Sequence, residues 1–191
     1  MKREDGNRGG EGVIPPHGGY ESLYFYQKAQ IVFDATVYFC NRFVFKRDRT
    51  HDQMVQAARS GKQNIAEGSR ASGTSKEFEI KLTNVARASQ EELLIDYRDF
   101  LRARGLDEWT RKHPYTERLR ELNHQPDADY ETFRKGIEHR DPAISANVII
   151  GLIQVTCYLL DQQLRRLERD FLNEGGLRER MTQARRKHRQ S

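Results

Sequence analysis

The chain has 191 residues, and its 33 lysines and arginines outnumber 28 aspartates and glutamates to give a formal charge of +5. No apolar stretch approaches the roughly 20 residues of a membrane helix, so we expect a cytoplasmic, single-domain protein without a membrane partner. Two cysteines, Cys40 and Cys157, are too few for a disulfide framework or an independent zinc site.

The N-terminal residues 1–19 hold six of the 14 glycines and two of the five prolines, which predicts a disordered leader. A first helix is predicted over 22–46, where apolar side chains recur at steps of three and four. The stripe is Leu23, Tyr26, Gln30, Phe33, Val37, Cys40 and Val44. A second stripe of Tyr24, Ile31, Tyr38 and Phe45 widens this face and indicates several neighbours, another subunit among them.

Helices two and three each begin with the pattern of a capping box, at Thr50 and at Thr74. Helix two is predicted to end at a turn over 68–73, and helix three is predicted to end at Gly105. The inner face of helix two is small, and consists of Met54, Ala57, Ala58, Gly61, Ile65 and Gly68. The apolar face of helix three includes Phe78, Leu82, Val85, Ala86, Ser89, Leu93, Tyr97, Phe100 and Leu101.

Residues 105–141 differ in character, with two prolines and the only tryptophan of the chain. Short helices are predicted there, at 107–113, 115–122 and 128–139. A fourth long helix is predicted from Asp141 and Pro142, as N-cap and first helical residue, to Gly175. No alternation typical of strands appears, so the fold class is all-α. We expect an up-down four-helix bundle over 20–176, with a helical insert between helices three and four.

The tail, residues 177–191, contains six basic residues and one glutamate, and so carries a charge equal to that of the whole chain. A basic arm of this kind attracts nucleic acid by neutralising phosphates. The alternative interpretation is a solvated tail that keeps a neutral body soluble.

Nothing in the sequence assembles a catalytic constellation. Cys40 and Cys157 lie among apolar helical positions, which is typical of buried packing. The six histidines form no pair at metal-ligand spacing, and no long helix carries the Glu-x-x-His motif of di-iron bundles. Ser60-Gly61-Lys62 lacks the upstream glycine of a phosphate-binding loop. We therefore predict no enzyme activity, no metal site and no cofactor.

A polar cluster at residues 63–70 (QNIAEGSR) stands out on the small-residue second helix. We expect Asn64 to hydrogen-bond across to helix three, where Glu77, Asn84, Arg87 and Ser89 are available. Such a cluster would act as an internal lock that fixes the register of the two helices. The alternative is a ligand-binding site.

This cluster resembles the bacterial four-helix bundle proteins of the ribosomal RNA intervening-sequence type. Their second helix ends in Asn-Ile-Ala-Glu-Gly with a following Arg, then come a Ser and a Glu-Phe pair, and the next helix bears Ala-x-x-Ser-x-x-Glu-Leu. The match covers mainly residues 53–104. The matching residues are Asn64, Ile65, Ala66, Glu67, Gly68, Arg70, Ser75, Glu77, Phe78, Ala86, Ser89, Glu92 and Leu93.

The resemblance implies a homo-oligomer, because members that include the accessory protein of diversity-generating retroelements form ring-like pentamers. That member binds a reverse transcriptase and nucleic acid, so the resemblance implies RNA or DNA and a protein such as a reverse transcriptase as partners. It gives a structural role to Asn64, Glu67, Gly68, Arg70, Glu77, Ser89 and Glu92. The chain departs from the family at residues 43–49 (FVFKRDR), and in its leader, insert and tail.

We therefore expect a non-catalytic, oligomeric adaptor that binds nucleic acid by phosphate contact. The candidate contacts are Lys46, Arg47 and Arg49 after helix one, and Arg185, Arg186, Lys187 and Arg189 in the tail. The alternative is a protein-interaction scaffold without nucleic-acid binding, which would use the insert residues Trp109, Tyr115 and Tyr130 as a docking surface.

Overall fold

The computed structural model describes residues 18–125 and 127–190, and all regular structure within these ranges is helical. The prediction of an all-α chain is thereby confirmed. Residues 1–17, most of the predicted leader, lie outside the described residues. A 3-10 helix at Tyr20–Ser22 is followed by α1 (Tyr24–Phe43), α2 (Arg49–Ala71), α3 (Lys76–Ala103), α4 (Pro114–Asn123), α5 (Tyr130–Ile137), α6 (Pro142–Glu174) and α7 (Leu177–Gln190).

The four long helices pack against one another in a cycle. Helix α2 contacts α1 and α3, and α6 contacts the same two helices from the other side. Short turns join α1 to α2 and α2 to α3, so these helices run antiparallel to their neighbours in sequence. The two shorter helices cover α6, where α4 and α5 both pack, and α5 also reaches α1.

The buried face of α1 differs from the predicted stripe. Its centre combines small and medium side chains with the aromatic ring of Phe39, and Tyr26, Phe33 and Val37 are only half-buried at its edges. Small residues let α2 and α6 approach α1 closely, and Phe39 packs against the rings of Tyr97 and Phe100 of α3. The fully buried residues of the face include Ala29, Val32, Ala35, Thr36, Phe39 and Cys40.

Much of the second stripe of α1 is covered within the chain. The hydroxyl of Tyr24 donates to the carbonyl of Asn123 at the end of α4. The hydroxyl of Tyr38 lies 3.5 Å from the carbonyl of Glu138, just after α5. Phe45, in contrast, is 72% exposed. The insert therefore covers part of the apolar surplus of α1.

Both predicted N-caps of the central helices are displaced. Asp48, rather than Thr50, caps α2, because its carboxylate accepts a hydrogen bond from the Thr50 amide at 2.9 Å. Ser75, rather than Thr74, caps α3 by accepting from the amide of Phe78 at 3.1 Å. The predicted turn at 68–73 is also shorter, since α2 continues through Gly68. Gly68 is buried against α3, where an added Cβ would lie 3.4 Å from that of Leu82, at van der Waals distance.

The predicted helix at 107–113 is wrong, because this segment is held open by a side chain of α6. The Asn147 Oδ1 accepts from the amide of Trp109 at 2.7 Å, and its Nδ2 donates to the carbonyl of Asp107 at 2.9 Å. These bonds satisfy backbone groups that a helix would use internally. The other two insert helices form near their predicted positions, after the caps His113 and Asp129.

One helix in the described part of the chain is long and apolar enough, by length and composition, to cross a membrane, and it contains α6. This corrects the expectation that no stretch reaches that length. More than half of the qualifying window is buried inside the protein, and core helices of soluble proteins pass the same test. Packing of α6 against α1, α3, α4 and α5 accounts for its apolar character.

Candidate nucleic-acid interface

The turn between α1 and α2 presents a group of cations to solvent. Lys46, Arg47 and Arg49 are all exposed, and none has an ion pair or a side-chain hydrogen bond with another described residue. The single acid within the turn is Asp48, and its carboxylate is used to cap α2. Its hydrogen bonds to Thr50 lower the pKa of Asp48, so this carboxylate is charged at neutral pH. The turn nevertheless keeps a net positive charge.

Arg104, which the sequence argument missed, joins this end of the molecule. Its positive charge contributes to the lowered pKa of Asp48, which places it near the turn. Its guanidinium also stacks 3.7 Å from the ring centroid of Phe100. The sequence could have indicated this position, because an α3 antiparallel to α2 brings Arg102 and Arg104, at its C-terminal end, to the place where α2 begins.

The tail forms a helix in which three arginines share one face. Arg178, Arg185 and Arg189 are exposed and lie at steps of seven and four, so they follow one side of α7 over about 16 Å. Glu179 is the only acid of α7, and its Oε2 accepts from the amide of Gly176 at 2.9 Å. None of the three arginines forms an ion pair with a described acidic residue.

Two further predicted tail contacts stand apart from this face. Arg186 is exposed and lies about 80° around the helix from Arg178. The side chain of Lys187 lies outside the described residues.

The basic tail begins at the end of α3 that lies opposite the α1–α2 turn. Gly176, where the tail begins, lies against Glu77 in the first turn of α3, whereas the α1–α2 turn lies near the last turn of α3. Because α3 has 28 residues, these places are separated by about 40 Å.

The polar motif joins α2 to α3 through serine rather than through asparagine. Nδ2 of Asn64 donates to the carbonyl and to Oγ of Ser60 within its own helix, at 2.9 and 3.1 Å. Oγ of Ser60 then lies 3.0 Å from Oγ of Ser89 in α3. The expected direct bond from Asn64 to α3 is wrong, because a short amide side chain reaches the carbonyl one turn earlier. The link between the helices is thus a relay.

Two other motif residues, Arg70 and Glu77, form hydrogen bonds where α2 ends and α3 begins. Arg70 donates to the hydroxyl of Tyr20 at 3.1 Å and so ties down the 3-10 helix. Glu77 accepts from Oγ of Ser75 at 3.2 Å beside the cap of α3. Glu67 and Glu92 are exposed to solvent, with no side-chain bond to another described residue.

The cysteines and the other candidate ligands are poorly suited to chemistry. Burial raises the pKa of Cys40 and of Cys157 to about 12, so both remain thiols at neutral pH. Over residues 18–125 and 127–190, no group of three or more histidine, cysteine or acidic side chains could hold a metal ion.

Two buried polar side chains escaped the sequence argument. Lys28 and Gln90 are fully buried, and the Lys28 Nζ and both polar atoms of Gln90 have no hydrogen-bond partner among the residues that the structure describes. The Lys28 Nζ instead lies 4.9 Å from the ring centroid of Tyr24 and 5.0 Å from that of Phe133. Burial lowers its pKa. No local pattern marks either residue, because each lies within an ordinary amphipathic helix.

Comparison of the chain with protein-family models, with curated proteins and with solved structures finds no match. The resemblance to intervening-sequence proteins thus depends on the motif residues alone.

Proposed function

We propose that the protein is a non-catalytic, homo-oligomeric adaptor that binds RNA or DNA through phosphate contacts. The observation that carries this proposal is the row of exposed arginines on α7, none of which forms an ion pair with a described acidic residue. The α1–α2 turn, with Lys46, Arg47 and Arg49, provides a second contact at the other end of the molecule.

The spacing on α7 supports backbone binding. Arg178, Arg185 and Arg189 span a length along which a B-form strand, with one phosphate per about 3.4 Å of axis, presents several phosphates. Guanidinium groups bind phosphate oxygens through two parallel hydrogen bonds. Contacts of this kind position a nucleic acid without reading its sequence, so we expect weak preference between sequences.

The proposed architecture is an up-down four-helix bundle with a helical insert between its third and fourth long helices. The packing of α1, α2, α3 and α6 in a cycle supports it. The short turns that precede α2 and α3 also favour an up-down order. The insert then corresponds to α4 and α5 with their connecting loops.

The proposed assembly uses apolar side chains on the outer surface of α3. Phe78 and Val85 lie two turns apart on one side, and Ile95 is 58% exposed further along the same helix. Tyr158 of α6 adds a further exposed aromatic ring. A surface of this kind is suited to contact with a second copy, and the resemblance implies a ring of five. Sedimentation velocity of the Val85→Glu variant tests this, with the exposed Asn84→Glu as control. Equal sedimentation of wild type and both variants as monomers would contradict it.

The resemblance also implies a reverse transcriptase as the protein partner. Co-purification of the intact chain with such an enzyme encoded beside it tests this part of the proposal independently.

Nucleic-acid binding is tested by titrating fluorescent single-stranded RNA and DNA at several salt concentrations. We expect the affinity to fall steeply with salt. The variant Arg178→Gln/Arg185→Gln/Arg189→Gln should reduce the slope of log K against log salt by about 2, since each single-strand phosphate contact contributes about 0.7. The variant Lys46→Gln/Arg47→Gln/Arg49→Gln measures how much the α1–α2 turn contributes to this slope.

The matched control removes the same charge from dispersed positions. Lys81, Arg120 and Arg140 are exposed on α3, on α4 and before α6, so Lys81→Gln/Arg120→Gln/Arg140→Gln should leave most of the slope intact. An equal loss of slope in the control variant would show that binding depends only on the overall charge of the protein. No binding by the wild type at low salt would refute the proposal.

A further inference from the structure

An apolar cleft of about 420 Å³ opens between α4, α5 and α6. Leu119 and Leu122 of α4, Phe133 of α5, and Ile144 and Val148 of α6 form its apolar walls. Its volume lies within the range of about 300–1,000 Å³ that small-molecule sites occupy. The cleft is thus large enough to enclose most of a small organic molecule.

Aromatic rings form one end of the cleft. Trp109 and Tyr115 both line it, with their ring centroids 5.2 Å apart. The imidazole of His113 stacks on the indole of Trp109, at 4.8 Å and an angle of 7°. Because Asn147 fixes the backbone of Trp109 to α6, this end is held in place before any ligand arrives.

The walls are equally fixed, since helices meet at two glycines beside the cleft. A side chain at Gly136 of α5 would overlap Val148, and one at Gly151 of α6 would overlap Leu119. These close approaches leave little room for α4 or α5 to collapse into the space. The cleft is a consequence of how the insert packs on α6.

The charged groups on the lining are all cationic. Arg118 and Lys135 lie at the cleft, and its described lining includes no carboxylate. Arg118 pairs with Glu121 outside the lining, in an exposed contact of 2.8 Å, whereas Lys135 has no such partner among the described residues. The exposed pair of Arg118 is easily exchanged for another anion.

His139 adds a hydrogen-bond donor to the lining of the cleft. Its Nδ1 accepts a hydrogen bond from the amide of Asp141 at 3.0 Å, so the proton of the neutral ring resides on Nε2. The hydroxyl of Thr132, by contrast, is already engaged with Asp129, to which it donates at 2.9 Å. The polar groups available to a ligand therefore include two cations and an N–H donor.

We propose that this cleft binds a small amphiphilic carboxylate, with the apolar body against the leucine, valine and aromatic walls and the carboxylate at Lys135, Arg118 and His139. The complementarity of charge selects an anion over a neutral or cationic molecule of the same body. The proposal is independent of nucleic-acid binding, because the cleft and α7 are built from different helices.

Trp109 is the only tryptophan of the chain, so all tryptophan emission of the protein comes from a residue that lines this cleft. Sodium dodecanoate, titrated into the full-length protein below its micellar concentration, should shift that emission to saturation. Dodecanol and dodecylamine carry the same apolar chain without a negative charge. We expect each to bind at least about tenfold more weakly, as the loss of one charge-assisted contact predicts.

The variants Lys135→Glu and Tyr115→Ala change exposed residues of the lining and should keep the helical circular dichroism of the wild type. Lys135→Glu should weaken dodecanoate binding about tenfold or more, and Tyr115→Ala should weaken all three ligands alike. The control, Lys81→Glu, makes the same charge change on α3. The proposal is overturned if dodecanoate gives no saturable shift, if dodecylamine binds as tightly, or if Lys81→Glu has the effect of Lys135→Glu.

Discussion

The hydroxyl of Tyr97 in α3 donates a hydrogen bond to Oγ1 of Thr36 in α1 at 3.2 Å, and both side chains are fully buried. Oγ1 of Thr36 donates in turn to the carbonyl of Val32 at 2.7 Å. The pair connects two long helices that each also pack on α2 and α6. Burial raises the pKa of Tyr97 well above its usual range, so the phenol remains a donor.

Removal of the acceptor, Thr36, and removal of the donor, Tyr97, should differ in their effect on the free energy of unfolding. Thr36→Val leaves the hydroxyl of Tyr97 buried without an acceptor, and should cost about 1–3 kcal/mol. Tyr97→Phe leaves Thr36 bonded to Val32 and should cost less than about 1 kcal/mol. Urea unfolding of the two variants and of the double variant measures this order. A greater loss in Tyr97→Phe would show that the phenol contributes mainly by other means.

Lys28 should destabilise the folded chain in a pH-dependent manner. Because burial lowers its pKa from 10.5, the unfolded chain binds more protons than the folded chain between the lowered value and 10.5, and stability from this group rises with pH through that window. Lys28→Met should therefore be more stable at neutral pH by about 1–3 kcal/mol. This advantage should narrow as the pH approaches 10.5.

The control for Lys28 is Lys81→Met, the same substitution at an exposed position of α3. Urea unfolding from pH 7 to 10 supplies the comparison. A gain from Lys28→Met that does not change over this range would mean that the buried amine is not the group that titrates.

The effect of Gly61→Ala on stability should change sign when the side chain of Gln90 is removed. A Cβ at Gly61 would overlap the Gln90 amide and lie 3.0 Å from its Cδ, so Gly61→Ala should cost about 1–2 kcal/mol in the wild type. In a Gln90→Ala background the overlap is absent, and the same change should stabilise by up to about 1 kcal/mol through helix propensity. A double-mutant cycle by thermal unfolding measures this coupling; additive effects would disprove it.

Asn147→Ala should release the loop that precedes α4. The loss of bonds to the backbone of Asp107 and Trp109 should cost about 2–3 kcal/mol. The same change should make the emission of Trp109 more solvent-like. The exposed Asn84→Ala is the control for both measurements. Wild-type emission in a destabilised Asn147→Ala would show that other contacts hold the loop.

The inner face of α2 was predictable because its small and apolar residues recur without interruption, and every predicted member from Met54 to Gly68 is buried. The buried face of α1 differs from the predicted one, because aromatic residues on both sides make several faces of this helix equally apolar. The loop at 107–113 was not predictable from local sequence. Its conformation depends on Asn147, which bonds to Trp109 from 38 residues away.

The cationic residues were visible in the sequence, but their arrangement was not. That Arg178, Arg185 and Arg189 form one face requires α7 to be helical, and its composition alone also suited an unstructured arm. The cleft beside Trp109 depends on the packing of three helices around Gly136 and Gly151. A residue pattern cannot show a concave surface that distant segments enclose together.

The position of α6 also bears on how the chain folds as it is synthesised. The first three long helices pair through short turns and can dock as they emerge, but α6 follows only after the insert. About 70 residues separate the end of α3 from the end of α6, which corresponds to roughly 4–14 s at 5–20 residues per second. During that interval the faces of α1 and α3 that α6 will cover remain open on the ribosome, where neighbouring nascent chains and chaperones compete for them.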